Sequence, residues 1–232
     1  MLEALFSAKR KVKSDFQIAL DFAGQVGSQV ISNTGTGNAS FIANGGMTIT
    51  SLEKVFGETC LLNNGANNNY LRSTNAIPGG MFEKEFYIGF YAKSRGNNND
   101  PYRGFLHLGT SANSANGITF INDGLYIANN AGTNWQVIPM QPAPSTAVFD
   151  HFAIAKRITA TNDSYRLFRN GKVVGTLNLA SRTFIPGDTS AQLEIGLNHS
   201  SGQSVNSYMA NFRMAIGNHV HWEEFNPLED YL

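Results

Sequence analysis

The sequence is poor in charge and in cysteine. Charged residues make up only 15% of the chain, against about 25% in an average globular protein, and 17 Lys and Arg balance 17 Asp and Glu. Because no net positive field is available to hold a polyanion, we predict no nucleic-acid partner. The single cysteine, Cys60, excludes an internal disulfide and a multi-cysteine zinc site. We expect Cys60 to be a small buried apolar residue.

Long apolar runs are also missing. No stretch approaches the roughly 18 consecutive apolar residues of a membrane helix, so we expect no membrane insertion. The opening sequence MLEALFSAKRKVKS places its charges after its apolar residues, which is the reverse of the order in a secretory signal. We therefore do not expect export by that route.

Residues 1–14 are predicted to form a short N-terminal arm. As a helix, the arm would place Leu2, Leu5 and Phe6 on one face and a group of cations near its C-terminal end, namely Lys9, Arg10, Lys11 and Lys13. A helix this short is marginal in isolation. The arm is therefore either a docking element that needs a partner groove or a frayed terminus without one.

The remaining residues, 15–232, have the pattern of one all-β domain. Strand-sized runs with period two recur every 8 to 12 residues or so, and no later segment has convincing helical periodicity. In EFYIGFYAK at 85–93, one face is predicted to be core and the other wetter; the core face carries Phe86, Ile88, Phe90 and Ala92. The connections are rich in Asn and Gly, which favour turns. A Rossmann site and a P-loop are excluded, since both require a glycine-rich turn that opens a helix.

Five segments, in order, resemble the concanavalin A-like lectin/glucanase fold, and in particular the laminin-G-like modules of bacteriophage virion proteins. They are EFYIGFYAK at 85–93, HFAIAKR at 151–157, YRLFRNGKVVGTLNL at 165–179, LEIGLN at 193–198 and YMANFRMAIGNHVHWEEFNP at 208–227. Asn170-Gly171 independently predicts a type I′ turn between two alternating runs. The closing segment departs from the family pattern, because an acidic residue is expected before the aromatic residue and Arg213, whereas Asn211 stands there.

The resemblance implies an antiparallel β-sandwich of the concanavalin A-like jelly-roll type. It also implies a non-enzymatic structural or accessory protein of a phage virion, made in the host bacterial cytoplasm and docked to other virion proteins and to copies of itself. The alternative is a lectin module that binds carbohydrate on a host surface, and a degenerate glucanase is a third reading. No cofactor is expected.

Two polar segments supply the residue types that bind sugars, which are aromatic platforms beside amides and carboxylates. The first segment contains Asn97, Asn98, Asn99, Asp100 and Tyr102, and the second contains Asn129, Asn130, Asn134 and Trp135. Both segments are predicted to be loops. Ordinary turn chemistry and a packed tryptophan explain the same residues without a ligand.

Catalytic and metal sites have weaker support. Glu83 and Glu85 imitate part of a glucanase signature, but apolar residues follow where further acids should stand, so we predict no catalytic residues. His219 and His221, at i, i+2 spacing, could share a face and bind a metal together with Glu223, although Trp222 favours packing of the tail. Turn aspartates could contribute to calcium binding or cap their own turns, and we predict no metal site.

Overall fold

We analysed a computed structural model of the chain. It describes residues 16–75, 77, 83–96, 100–109, 117–129, 134–140, 144–179, 192–198, 202–217 and 221–230. The predicted arm, with its docking residues Leu2, Leu5, Phe6, Lys9, Arg10, Lys11 and Lys13, lies outside these residues. In the described part of the chain, no helix is long and apolar enough to cross a membrane.

Eighteen strands account for most of the described residues. They are β1 (Ile18–Leu20), β2 (Val30–Ile31), β3 (Phe41–Asn44), β4 (Thr48–Val55), β5 (Glu58–Asn64), β6 (Tyr70–Ser73), β7 (Phe86–Ser94), β8 (Gly104–Gly109), β9 (Gly117–Ile121), β10 (Gly124–Asn129), β11 (Asn134–Pro139), β12 (Asp150–Ile158), β13 (Asp163–Arg169), β14 (Lys172–Leu179), β15 (Gln192–Ile195), β16 (Leu197–Asn198), β17 (Gln203–Ser204) and β18 (Asn206–Ile216). A short 3-10 helix spans Pro227–Asp230.

The strands form two sheets. Sheet A has the order β14-β13-β12-β7-β18-β5-β4, with β1 also paired to β18, and sheet B has the order β11-β10-β9-β8-β15-β6-β3-β2, with β17 and β16 attached at β8. Apart from a single parallel bridge between β17 and β8, the pairs are antiparallel. The predicted all-β sandwich is confirmed.

Phenylalanine side chains fill the space between the sheets. Phe90 on β7 has ring centroids 5.9–6.4 Å from those of four other phenylalanines, two from sheet A and two from sheet B. They are Phe152, Phe212, Phe105 and Phe120. All five side chains are fully buried, which confirms the predicted core face of β7.

The opposite face of β7 is not the wetter face that its alternation predicts. Tyr87 and Tyr91 are buried there, because the C-terminal tail and the β4–β5 turn cover this part of the outer face of sheet A. The C-terminal tail places Phe225 against Tyr87, and the β4–β5 turn places Phe56 edge-on to Tyr91 at 5.4 Å. Cys60 lies in the same cluster as Tyr91 and is buried, as predicted. Burial raises the pKa of its thiol to about 12.

The ion-pair partner of Arg213 on the closing strand comes from the residue that follows β1. Asn211 has a φ of 50° at the bulge of β18, and Arg213 forms an ion pair with Asp21, which follows β1. The contact that Asn211 cannot provide is therefore supplied by a residue 192 positions away from Arg213 in the sequence.

A buried ion pair lies at the core side of β12 and β13. Lys156 Nζ is 2.9 Å from Asp163 Oδ2, and both side chains are almost completely excluded from solvent. Lys156 stands opposite Tyr165 on β13 and Phe86 on β7, in positions that otherwise carry apolar residues. The carboxylate of Asp163 therefore neutralises a lysine that is buried in the core.

The β13–β14 turn is the predicted type I′ turn, with φ values of 51° at Asn170 and 74° at Gly171. Asp150 accepts hydrogen bonds from Arg169 at 2.7 Å and from Asn170 at 2.9 Å, so the carboxylate holds the β13 side of this turn. The carbonyl of Gly171 accepts a hydrogen bond from the backbone of Phe225 at 3.1 Å. The C-terminal tail is thus hydrogen-bonded to this turn.

We predict that Gly171→Ala destabilises the fold more than Gly57→Ala does. Both glycines have a positive φ, 74° and 84°, which costs an L-residue about 1–2 kcal/mol. A Cβ at Gly57 would meet nothing within 4 Å, whereas at Gly171 it would overlap the carbonyl oxygen of Phe225. Overpacking adds about 1–3 kcal/mol, so urea unfolding should separate the two variants. Equal losses would show that the tail moves away without cost.

Candidate functional site

The outward face of sheet B carries a line of polar side chains that crosses four strands. Its members, which we call the polar row, are opposite one another in register: Arg72 on β6, Glu194 on β15, His107 on β8 and Thr119 on β9. The neighbours of each along its strand point inward to the core, as Leu71, Leu193, Leu106 and Ile118 do. The row is therefore a product of strand alternation combined with sheet register.

The members of the polar row hold one another in place. Arg72 Nε donates to Glu194 Oε1 at 2.7 Å, and its guanidinium lies 4.4 Å from the ring centre of Tyr70. His107 Nδ1 is 2.9 Å from Thr119 Oγ1. The side chain of Glu194 is only 3% exposed and that of Arg72 is 33% exposed, so a buried carboxylate is paired with a cation that reaches the surface.

Beside the polar row lie Tyr126 and Trp135, and Tyr102 is near enough to Tyr126 for its charge to act on that residue; we call these three residues the aromatic strip. Tyr126 on β10 stands opposite Thr119, and its ring is edge-on to Trp135 at 6.4 Å. Tyr102 precedes β8 and is 57% exposed. Burial raises the pKa of Tyr126 to about 12, and the hydrogen bond to Asp123, the charge of Asp123 and the charge of ionised Tyr102 add to the rise.

Tyr102 is displayed on a turn whose backbone is tied on both sides. Its amide donates to Asp100 Oδ1 at 2.9 Å, and its carbonyl accepts from Asn198 Nδ2 at 2.8 Å. The other carboxylate oxygen of Asp100 accepts from Gln203, and the Asp100 carbonyl accepts from Asn122 at 2.9 Å. An exposed aromatic ring on a fixed backbone can contact a ligand with little loss of backbone entropy.

Within the predicted sugar-binding set, the structure brings Asp100 and Tyr102 together, since Asp100 supports the backbone of Tyr102. Trp135, from the second segment, packs against Tyr126. Trp135 lies in strand β11, not in the loop that its Asn-rich surroundings predict; Asn129 and Asn134 are the paired ends of β10 and β11. The other members of the two predicted loops, Asn97, Asn98, Asn99 and Asn130, lie outside the described residues.

Sequence reasoning missed the polar row and Tyr126. Arg72 and Glu194 are separated by 122 positions, so no local motif can join them. The segment GFLHLG at 104–109 alternates around a histidine, and this alternation was the available signal for a polar side chain on the outward face.

The remaining candidates are used by the fold. Glu85 lies just before β7 and accepts from the backbone of Ile158 at 3.2 Å, while Glu83 is exposed. His221 stacks on Phe225 at 3.8 Å, and Glu223 lies 3.1 Å from Arg166. Trp222 packs on the outer face of sheet A, as its position predicted. His219 is outside the described residues, and among those described no three His, Cys, Asp or Glu side chains form a group that could hold a metal ion.

Comparison with solved structures finds the same fold in carbohydrate-binding domains. Domain 4 of AbnA, an extracellular arabinanase from Geobacillus stearothermophilus in complex with arabinotriose, is 12% identical with a TM-score of 0.64 over 89% of this chain and 95% of that one. The binding domain of botulinum neurotoxin serotype D is 8% identical with a TM-score of 0.68 over 95% of this chain and 53% of that one. The binding domain of botulinum neurotoxin DC, in complex with SialylT, is 14% identical with a TM-score of 0.64 over 91% of this chain and 50% of that one.

The chain thus spans about half the length of the neurotoxin binding domains that it matches. No protein-family model and no curated protein matches the sequence. At these identities the likeness shows a β-sandwich fold that carbohydrate-binding domains share.

We predict that Arg72→Met destabilises the protein by about 2 kcal/mol, below the ~3–5 kcal/mol of a fully buried broken pair because Arg72 is partly exposed. The loss arises because Glu194 remains buried without its cation. Adding Glu194→Gln should recover part of the stability, which a double-mutant cycle by urea unfolding measures. Lys172→Met is the control, since its ion pair with Glu224 is exposed and should leave the unfolding midpoint unchanged. Equal effects of Arg72→Met and Lys172→Met would contradict the prediction.

Proposed function

We propose that this β-sandwich is a glycan-binding module and that its ligand lies on the outward face of sheet B. The observation that carries the proposal is the aromatic strip, in which Tyr126 packs edge-on to Trp135 and Tyr102 adds an exposed ring on a tied backbone. Sugar sites combine such aromatic surfaces with a few fixed polar groups. The arabinotriose and SialylT complexes of the structural neighbours support the same class of ligand.

The polar row would act mainly as a support for this site. The ion pair joins β6 to β15 and the hydrogen bond joins β8 to β9, so the strands beside the aromatic strip are held in one arrangement before a ligand arrives. A preformed site spends little binding energy on ordering. The exposed part of Arg72 offers guanidinium donors at the far side of the row from Tyr126.

We propose binding without hydrolysis. A glycoside hydrolase requires two carboxyl groups that flank the bond and exchange protons with substrate or water. Next to the aromatic strip, Asp100 is engaged by Gln203 and by the backbone of Tyr102, and Asp123 accepts from Tyr126 at 3.0 Å. These bonds suit carboxylates that shape turns.

The narrower proposal of a phage virion component rests on the sequence resemblance alone. Copurification of the protein with virions at a fixed copy number would support this role in the particle. Absence from purified particles, with the protein stable in lysed cells, would refute it.

We predict that Trp135→Ala and Tyr102→Ala each weaken glycan binding at least tenfold, since aromatic anchors contribute about 2 kcal/mol or more to an interface. A glycan array with the full chain identifies a ligand, and isothermal titration calorimetry measures each variant. Phe56→Ala is the matched control, because Phe56 is 50% exposed but lies on the outer side of sheet A.

Melting curves should show that the three variants remain folded. The proposal fails if the folded wild-type chain binds no glycan at millimolar concentration. It also fails if Phe56→Ala weakens binding as much as the strip variants do, because the site would then lie on the other sheet.

A further inference from the structure

The carboxylates beside the aromatic strip differ from seven others in the described part of the chain. In the described residues seven carboxylates form ion pairs with Arg or Lys. They are Asp21, Glu53, Asp150, Asp163, Glu194, Glu223 and Glu224. Among the described residues, by contrast, the donors to the carboxylates of Asp100 and Asp123 are neutral. Asp100 accepts from the Tyr102 amide and from Gln203, and Asp123 accepts from Tyr126. Two negative charges therefore stand beside the strip with no ion-pair partner among the residues that the structure describes.

The nearest arginine in sequence does not compensate for them. Arg103 follows Tyr102 directly, but its Nη1 donates to the carbonyls of Gly65 at 2.9 Å and Ser204 at 2.7 Å. The guanidinium is therefore directed towards the backbone oxygens that follow β5 and end β17. The positive charge of Arg72 lies at the far end of the polar row and is paired with Glu194.

The pKa of the Tyr126 hydroxyl is affected by the same negative charge of Asp123. Burial gives the largest rise in its pKa, and Asp123 adds both through its hydrogen bond and through its charge. The environment of the strip thus disfavours a further negative charge on an oxygen that lies within it.

From this arrangement we propose that the site selects uncharged sugars and rejects sugars that carry a carboxylate. The proposal rests on the glycan-binding function proposed above. A sialic or uronic acid group over the strip would approach Asp123 and Asp100 with like charge, which costs affinity and is screened by salt. Neutral pyranose or furanose units can place their C–H faces on Tyr102 and Trp135 and meet no such repulsion.

The test uses two pairs of oligosaccharides that differ in charge: lactose with sialyllactose, and galactotetraose with tetragalacturonate. Calorimetry with the full chain should show that the neutral member of a bound pair binds at least tenfold more tightly at low salt. The ratio should shrink at about 0.5 M salt, where the screening length falls to a few ångströms.

Asp123→Asn removes one charge while leaving an amide oxygen that can still accept from Tyr126. We expect this variant to lower the neutral-to-anionic affinity ratio at least threefold. Glu58→Gln is the control, since Glu58 is exposed at the start of β5 in sheet A, and it should leave the ratio unchanged.

The outcomes separate the two proposals. Similar or tighter binding of the anionic member refutes charge selection and leaves glycan binding standing. A ratio that is unchanged in Asp123→Asn refutes the assignment of selection to this carboxylate. No binding of either member of both pairs, together with an empty glycan array, refutes glycan binding itself.

Discussion

The contact of Phe90 with four other phenylalanines is the interaction on which the rest of the structure depends. Phe152 and Phe212 come from its own sheet, and Phe105 and Phe120 come from the opposite one, so a single side chain joins both layers. Large buried rings provide much of the apolar area that stabilises a sandwich. Because Phe105 and Phe120 lie on β8 and β9, the same contact holds the strands that carry His107 and Thr119 on their outward face.

The two outer faces of the sandwich are put to different uses. Sheet A has small side chains on its outer face, such as Ala153, Ala155 and Ala215, and the C-terminal tail packs over them through Phe225 and Trp222. This second cluster stabilises the chain termini against the sheet. Sheet B instead carries polar and aromatic side chains on its outward face, where Glu194, His107 and Thr119 are buried and Tyr126 and Trp135 are partly exposed. Tyr102 is exposed in the turn before β8. Under the proposed function, the outer face of sheet A contributes stability and that of sheet B contributes the binding site.

Local pattern was sufficient for the fold and insufficient for the site. Alternation predicts the core face of β7, and Asn170-Gly171 predicts the β13–β14 turn. Both features depend on residues that are neighbours in sequence. The covering of Tyr87 and Tyr91 could not be predicted, since the covering residues, Phe56 and Phe225, come from distant segments. Trp135 is a residue type that binds sugars, but the asparagines before it predict a loop, whereas it lies in the short edge strand β11. The polar row required the pairing of β6, β15, β8 and β9, which no local signal encodes.

The pair of Lys156 and Asp163 has a consequence for how β12 and β13 find their alignment. A slip of two residues between these strands would keep apolar side chains on the inner face, since side chains alternate with period two. The same slip would carry Asp163 about 7 Å along the strand from its lysine. Two charges would then be enclosed among Tyr165, Phe86 and their neighbours without compensation, at a cost of several kcal/mol. The ion pair thus penalises a misaligned sandwich that apolar patterning alone would tolerate.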